Sequence, residues 1–365
     1  MRKSKKGVLL IFVLILLILA LVPSVEVCAE SITEDIYSIF GENGEKLLQK
    51  QEVYVGDNFL TSDFKKYEIT ELDEINKIGK AKFIEFVEKP KVDRSFTPSN
   101  ISQLAPVICM YMTHNDESYL PTDGYDSIYG KGGIHDVAKA LMTHFEQKGV
   151  TTHISEELHI PHDSYAYSRS KNTAKKLIED YNPDGIFDIH RDGASRSTYV
   201  KNINGAERCK IRIVVGKSSD NFKVAEQFAL YLLSVAEEVC PWLFLDIYYA
   251  GGHYNQGLHD KALLFEMGSH LVEKELVLKS VEPLVNVITT AMFQTTVDNN
   301  TGNLTINGPV TEDTPLINDA LTEIAKEQNN EGGVPLILSL VLGGSLLVVL
   351  VTITNARLKS KNKDK

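Results

Sequence analysis

Positive charge is in short supply here: 38 lysines and arginines stand against 49 aspartates and glutamates in 365 residues, a net charge of −11 with a pI near 5.5. A nucleic-acid surface needs clustered basic side chains that release counterions from phosphate. No basic stripe runs through the chain, so nucleic acid is excluded as a partner. Cysteine is also scarce. Of the four, Cys28 falls in the leader, and Cys109, Cys209 and Cys240 remain, an odd number that implies no disulfide framework. Cys109, inside Val107-Ile108-Cys109-Met110, reads as a buried small hydrophobe.

Uncharged apolar runs of membrane-spanning length are missing from the middle of the chain and confined to its ends. A basic tip, Met1 to Lys6, precedes an uncharged stretch from Gly7 to Pro23 and small residues at Val27-Cys28-Ala29, so residues 1–29 read as a signal peptide or signal anchor. The second run, 334–356, is long enough for a transmembrane helix. A basic tail follows at 357–365, and basic flanks stay on the cytoplasmic side, so residues 30–330 are expected outside the cell membrane.

Between the ends, 30–90 carries short alternating runs such as Lys82-Phe83-Ile84-Glu85-Phe86 and reads as a small β module without evident chemistry. A proline-containing linker over 91–105 leads to a main domain over 106–295, and 296–333 reads as a polar stalk. In the main domain apolar strands at 107–112, 186–189, 211–215 and 263–265 alternate with helices at 134–148, 174–181, 222–239 and 273–293. That alternation predicts an α/β fold with a mostly parallel sheet and helices on both faces.

Ligand sites in open α/β sheets collect at the carboxyl ends of strands, and the informative residues fall there. His114 and Glu117, three apart, follow the first strand; His190 ends the second and Glu266 the last. Catalytic zinc takes three protein ligands from His, Glu or Asp and leaves a fourth position open. His114, Glu117 and His190 therefore form a candidate Zn2+ site, with His135 as the rival ligand. Glu266, leaving a buried apolar strand, is the candidate general base, and Arg191 the candidate for neutralising a developing oxyanion. Plainer readings stand beside these: His114 and Glu117 as an ordinary polar loop, His190 satisfied by Arg191 and Asp192, and Glu266 paired with Arg191 or Arg196. Asp188 is expected to point away from His190, with support of that ligand through the backbone turn as the lesser alternative. His153, His159 and His162 read as loop residues, one or two of them able to reach substrate. Gly251 to Gln256 reads as a flexible polar loop able to contact an amide-rich ligand.

The strings Thr113-His114-Asn115-Asp116-Glu117-Ser118-Tyr119-Leu120-Pro121, Asp188-Ile189-His190-Arg191-Asp192, Tyr254-Asn255-Gln256 and Leu264-Phe265-Glu266-Met267-Gly268 together resemble the stage II sporulation protein P family, over about 106–293. The resemblance implies a peptidoglycan hydrolase of endospore formers, an N-acetylmuramoyl-L-alanine amidase that also cleaves peptide cross-links during engulfment. It implies a fold similar to zinc cell-wall amidases and, more distantly, zinc carboxypeptidases, and the latter comparison supplies Glu117 as second ligand. It also implies sporulation stage II proteins D and M as partners. Two alternatives of other classes remain: an inactive wall-binding scaffold, and a metallocarboxypeptidase trimming stem peptides, for which Arg191 or Arg196 would hold the free carboxylate.

Overall fold

The structure, a computed structural model, describes residues 35–92 and 106–293, together with the backbone of two short paired strands further on. The leader, the central part of the linker, most of the stalk, the apolar run at 334–356 and the basic tail lie outside the described residues. Among the described residues no helix is long and apolar enough to cross a membrane.

Among the described residues there are fifteen strands: β1 Tyr37–Phe40, β2 Lys46–Lys50, β3 Asn58–Thr61, β4 Lys65–Asp73, β5 Ile78–Phe86, β6 Val107–Tyr111, β7 Thr151–Ile154, β8 Gly185–Asp192, β9 Val200–Ile203, β10 Ala206–Cys209, β11 Ile211–Gly216, β12 Phe244–Ala250, β13 Ala262–Ser269, β14 Thr295–Val297 and β15 Leu304–Ile306. Eleven of them form one sheet in the order β2-β1-β5-β4-β3-β12-β11-β13-β8-β6-β7. This corrects two expectations. The sheet is mixed, not mostly parallel: β11 runs antiparallel to β13, and β3 antiparallel to both β4 and β12. The reason lies in the connection from β8 to β11. It holds only the short helix Arg196–Tyr199 and the hairpin β9–β10, with no crossover helix to carry the chain back, so β11 returns in the opposite direction. The N-terminal strands, in turn, are not a separate module, because β3 pairs directly with β12 and extends the sheet of the main domain.

Four long helices cover the sheet: α1 Ile134–Gln147, α2 Ala166–Tyr181, α3 Phe222–Val239 and α4 Val281–Met292. Ile134, Val137, Ala138, Leu141 and Phe145 recur at helical spacing along α1 and are all buried. With α3 and α4 this helix packs over one sheet face, onto Phe187, Ile189, Ile213, Val215, Phe265 and Met267. The other face is shared. Near β6 and β8 it takes α2, whose Ala174 and Leu177 meet Cys109, Tyr111 and Ile186. Further along, Tyr37, Ile39, Leu48 and Phe59 of the N-terminal strands close on Val214, Tyr248 and Leu264. A cleft of about 530 Å³ opens on that face, lined by Tyr167 of α2 and by Lys50 and its neighbours from the N-terminal strands.

Candidate metal centre

In β8 the apolar run is broken at every second residue, by Asp188, His190 and Asp192, and the two-residue period of a strand puts all three on the cleft face. Asp188 therefore lies on the same side as His190, contrary to the expectation from sequence. Its Oδ1 is 3.0 Å from His190 Nε2. The approach is off the hydrogen-bonding direction, leaving Nε2 without an aligned partner, so we regard the contact as electrostatic backing of the ring. Asp188 is itself held by Thr113, through its amide at 2.9 Å and its hydroxyl at 2.6 Å.

The loop after β6 brings His114 and Glu117 to the same point. Glu117 Oε1 lies 3.1 Å from His114 Nδ1 and 3.2 Å from His190 Nδ1, while Oε2 accepts the Arg191 amide at 2.9 Å. One donor atom from each of His114, Glu117 and His190 lies within 4.8 Å of the other two. The loop is locked at Gly132, where a Cβ would stand 2.1 Å from the Glu117 carbonyl oxygen, so only glycine fits.

The charges agree with a cation at this point. Burial opposes ionisation of Glu117, yet His190, His114 and Arg191 hold its carboxyl well below the usual range. Burial lowers the His114 imidazole, which favours the neutral, ligating form. For His190, burial is overridden by Asp188 and Glu117, which raise its basicity well above the usual value. The two carboxylates beside this ring, Asp188 and Glu117, supply the negative charge that a dication would need. The donor set is two imidazoles and one carboxylate with carboxylate backing, which suits zinc. His135, the rival ligand, is buried in α1, outside both this cluster and the cleft lining.

Glu266 stands in register between His190 and Arg212 on the neighbouring strands. Its Oε2 is buried and has no hydrogen-bond partner. Burial first, then the charge of Asp192, push its carboxyl up to about 7, against the pull of Lys50 and His190. It pairs with neither of the arginines proposed for it. Arg196 is taken up by Glu207 and Glu273, at 2.8 and 2.9 Å. Arg191 lines the cleft, with its guanidinium held by the carbonyls of Ser118 and Asp126.

Sequence reasoning gave no role to Lys50 or Arg212 and read His162 only as a loop residue able to reach substrate. His162, exposed at the cleft, bonds Asp116 at 2.9 Å and stacks on His114 at 3.8 Å between ring centres. Lys50 reaches Asp192 at 2.5 Å, and fully buried Arg212 joins Asp192 to Asp246. A lone arginine inside the apolar string Ile211-Arg212-Ile213 was the available signal. The other histidines are structural: His159 bridges Met112 O and Thr173 Oγ1 at 2.8 Å each, and His153 stacks on Tyr181. Asn255 and Gln256 are buried and bonded inward, to Ser170 and to Gly216 and Val214, so that loop is pinned. Only its Gly251, Gly252 and Tyr254 reach the cleft.

Comparison with known proteins adds a lineage. Stage II sporulation protein P of Bacillus subtilis (strain 168) is 29% identical over 180 residues, 44% of this chain and 45% of that protein, so the match spans about half the length of the curated relative. Among solved structures, the CwlD amidase from Clostridioides difficile in complex with the GerS lipoprotein is 15% identical with a TM-score of 0.36, covering 51% of this chain and 95% of that one. The catalytic domain of CwlV, an N-acetylmuramoyl-L-alanine amidase from Bacillus (Paenibacillus) polymyxa, is 12% identical with a TM-score of 0.34, covering 51% and 97%. Likenesses this slight carry no argument about the site. The family model described as Stage II sporulation protein P (SpoIIP) matches residues 34–289, and the chain belongs to that family.

Proposed function

We propose that the chain is a zinc-dependent peptidoglycan hydrolase, an N-acetylmuramoyl-L-alanine amidase with a second, endopeptidase activity on cross-links, thinning the septal wall during engulfment in sporulation. The observation that carries this reading is the convergence of His114, Glu117 and His190 beside the unpartnered Glu266 carboxyl in one open cleft. Family membership supports the substrate.

Zinc held by those three residues would supply a Lewis acid that acidifies water and polarises an amide carbonyl. The protein groups supply the rest. Glu266 Oε2, with no competing hydrogen bond, is free to take a proton from water and return it to the leaving nitrogen. A dication nearby would draw its carboxyl back below the raised value, towards the ionised form a base requires. Arg191, a cleft residue whose guanidinium is held by the Ser118 and Asp126 carbonyls, would neutralise charge growing on the carbonyl oxygen, while its amide steadies Glu117. Asp188 backs His190 and fixes its ring.

The wild-type chain should carry about one zinc, and His190→Ala should lose it, because removing one ligand of three typically weakens binding far more than tenfold. Elemental analysis after dialysis against a chelator reads this directly. Full occupancy in His190→Ala would sink the site as drawn.

The proposal extends to topology, on the basis of the two uncharged runs and their basic flanks, and to partners, on the basis of family membership alone. Residues 30–330 would lie outside the membrane, in contact with sporulation proteins D and M. Protease added to intact protoplasts should digest this region, and cross-linking before digestion should join it to those two proteins. Digestion only after lysis would overturn the topology, and cross-links to neither protein would overturn the partners.

A further inference from the structure

The end of β2 and the segment that leaves it are fastened to the end of β8 and the turn that follows it. Gln49 Oε1 accepts the Ser195 hydroxyl at 2.9 Å, Lys50 Nζ meets Asp192 at 2.5 Å, and the Gln51 amide donates to Gly193 O at 2.6 Å. Gly193 packs closely against this segment, a Cβ there lying 2.1 Å from Gln51 Oε1, the movable tip of that side chain. Val53 is buried with the N-terminal apolar cluster, and Asp57 is tied to Tyr248 Oη at 2.7 Å and to the Tyr54 amide at 3.1 Å. The backbone from Lys50 to Asp57 is thus pinned at both ends and in the middle. Between the pins, Glu52 and Tyr54 line the cleft and keep their side chains exposed, Tyr54 to 64%.

An exposed phenol ring held on a rigid segment at a cleft mouth serves nothing in the fold. Tyr254 and Tyr167 also line the cleft, packed edge to face at 5.1 Å, together with the side-chain-free Gly251 and Gly252. Aromatic rings offer flat apolar faces with a polar tip, and a carboxylate offers acceptors only. Together they match a ring whose axial C–H bonds form an apolar face and whose edge carries hydroxyl donors.

We propose that the Lys50–Asp57 segment is the wall of the cleft that reads the saccharide part of the substrate, with the Tyr54 ring lying on a sugar face and Glu52 accepting from its hydroxyls. This rests on the peptidoglycan-hydrolase reading and extends it. The N-terminal strands then set specificity, and the pinned backbone means the wall is in place before substrate arrives, which limits the ordering cost of binding.

The test is calorimetric binding to the full chain of peptide-free glycan oligosaccharides prepared from peptidoglycan, and separately of the sugar-free stem peptide. Wild type should bind the glycan saturably. Tyr54→Ala should weaken it by about tenfold or more, as loss of a stacked ring does, with stem-peptide binding unchanged. Glu52→Gln, which leaves every pinning contact intact, should weaken the glycan alone by a smaller factor. An unchanged thermal midpoint in both variants would show that the fold is kept. Absent glycan binding in wild type, wild-type affinity in both variants, or a loss confined to the stem peptide would each overturn the proposal. The glycan carries no scissile amide, so these outcomes are independent of the zinc and hydrolysis measurements that test the hydrolase reading.

Discussion

Glu266→Gln should retain zinc and lose hydrolysis. The amide keeps the shape of the carboxyl and can still hydrogen-bond, but it cannot take a proton. Glu266 lies on a neighbouring strand, in register with His190, and stands outside the three-residue donor cluster, so its substitution leaves the ligands untouched. Loss of a positioned general base costs on the order of 10² to 10⁴ in rate. The measurement is release of soluble stem peptides from purified sacculi, set against zinc content of the same preparation. Wild-type turnover would remove Glu266 from the mechanism and return the inactive-scaffold and carboxypeptidase readings to contention. Loss of zinc along with activity would make Glu266 a ligand, and the three-residue site would need redrawing.

The second large effect concerns stability. Arg212 is fully buried, with Asp246 on two of its nitrogens at 2.6 and 2.9 Å and Asp192 on the third. Arg212→Met fills a similar volume but strands the Asp246 carboxylate and takes one partner from Asp192, and breaking a buried pair by removing one partner costs about 3–5 kcal/mol. Urea unfolding at neutral pH should show a loss of this size. Arg212→Met/Asp246→Asn should recover part of it, because Asp192 keeps Lys50 and the Tyr199 hydroxyl at 2.8 Å. The pH dependence follows from Asp192. Burial alone would raise its carboxyl, yet Lys50 and Arg212 hold it below the ordinary value. Its contribution is therefore complete above the unfolded-state pKa, near ~3.9, and is lost as pH falls through the lower folded value. The gap between wild type and Arg212→Met should narrow in acid. A neutral-pH difference within about 0.5 kcal/mol, the range of ordinary surface changes, would show that the network is dispensable.

Much of the main domain was legible because burial imposes a period. The helix at Phe222–Val239 was read to its last residue, and Ile134–Gln147 to within one. The expected helix over 273–293 is instead two, Lys274–Leu278 and Val281–Met292, with buried Ser280 at the break donating to Cys209 O at 2.5 Å. The strand Phe244–Ala250 was not anticipated, and neither was Thr151–Ile154, which sits at the sheet edge with only one buried residue. The reading of Asp188 failed on a simpler point, since residues two apart in a strand share a face.

The sequence by itself determined the chemical vocabulary: two histidines and a glutamate at strand ends, a lone carboxylate closing an apolar strand, and an α/β alternation that places such ends together. Those facts follow from local period and residue type, and the chain carries them wherever it folds. Only the tertiary structure decided strand direction and the partners of the charged groups. Direction depends on whether a connection contains a crossover helix long enough to span the sheet, and pairing depends on register between strands far apart in the chain. Lys50 lies 142 residues from Asp192, and no spacing rule reaches across that distance. The N-terminal strands therefore read as a module without chemistry, until pairing of β3 with β12 carried them over the cleft.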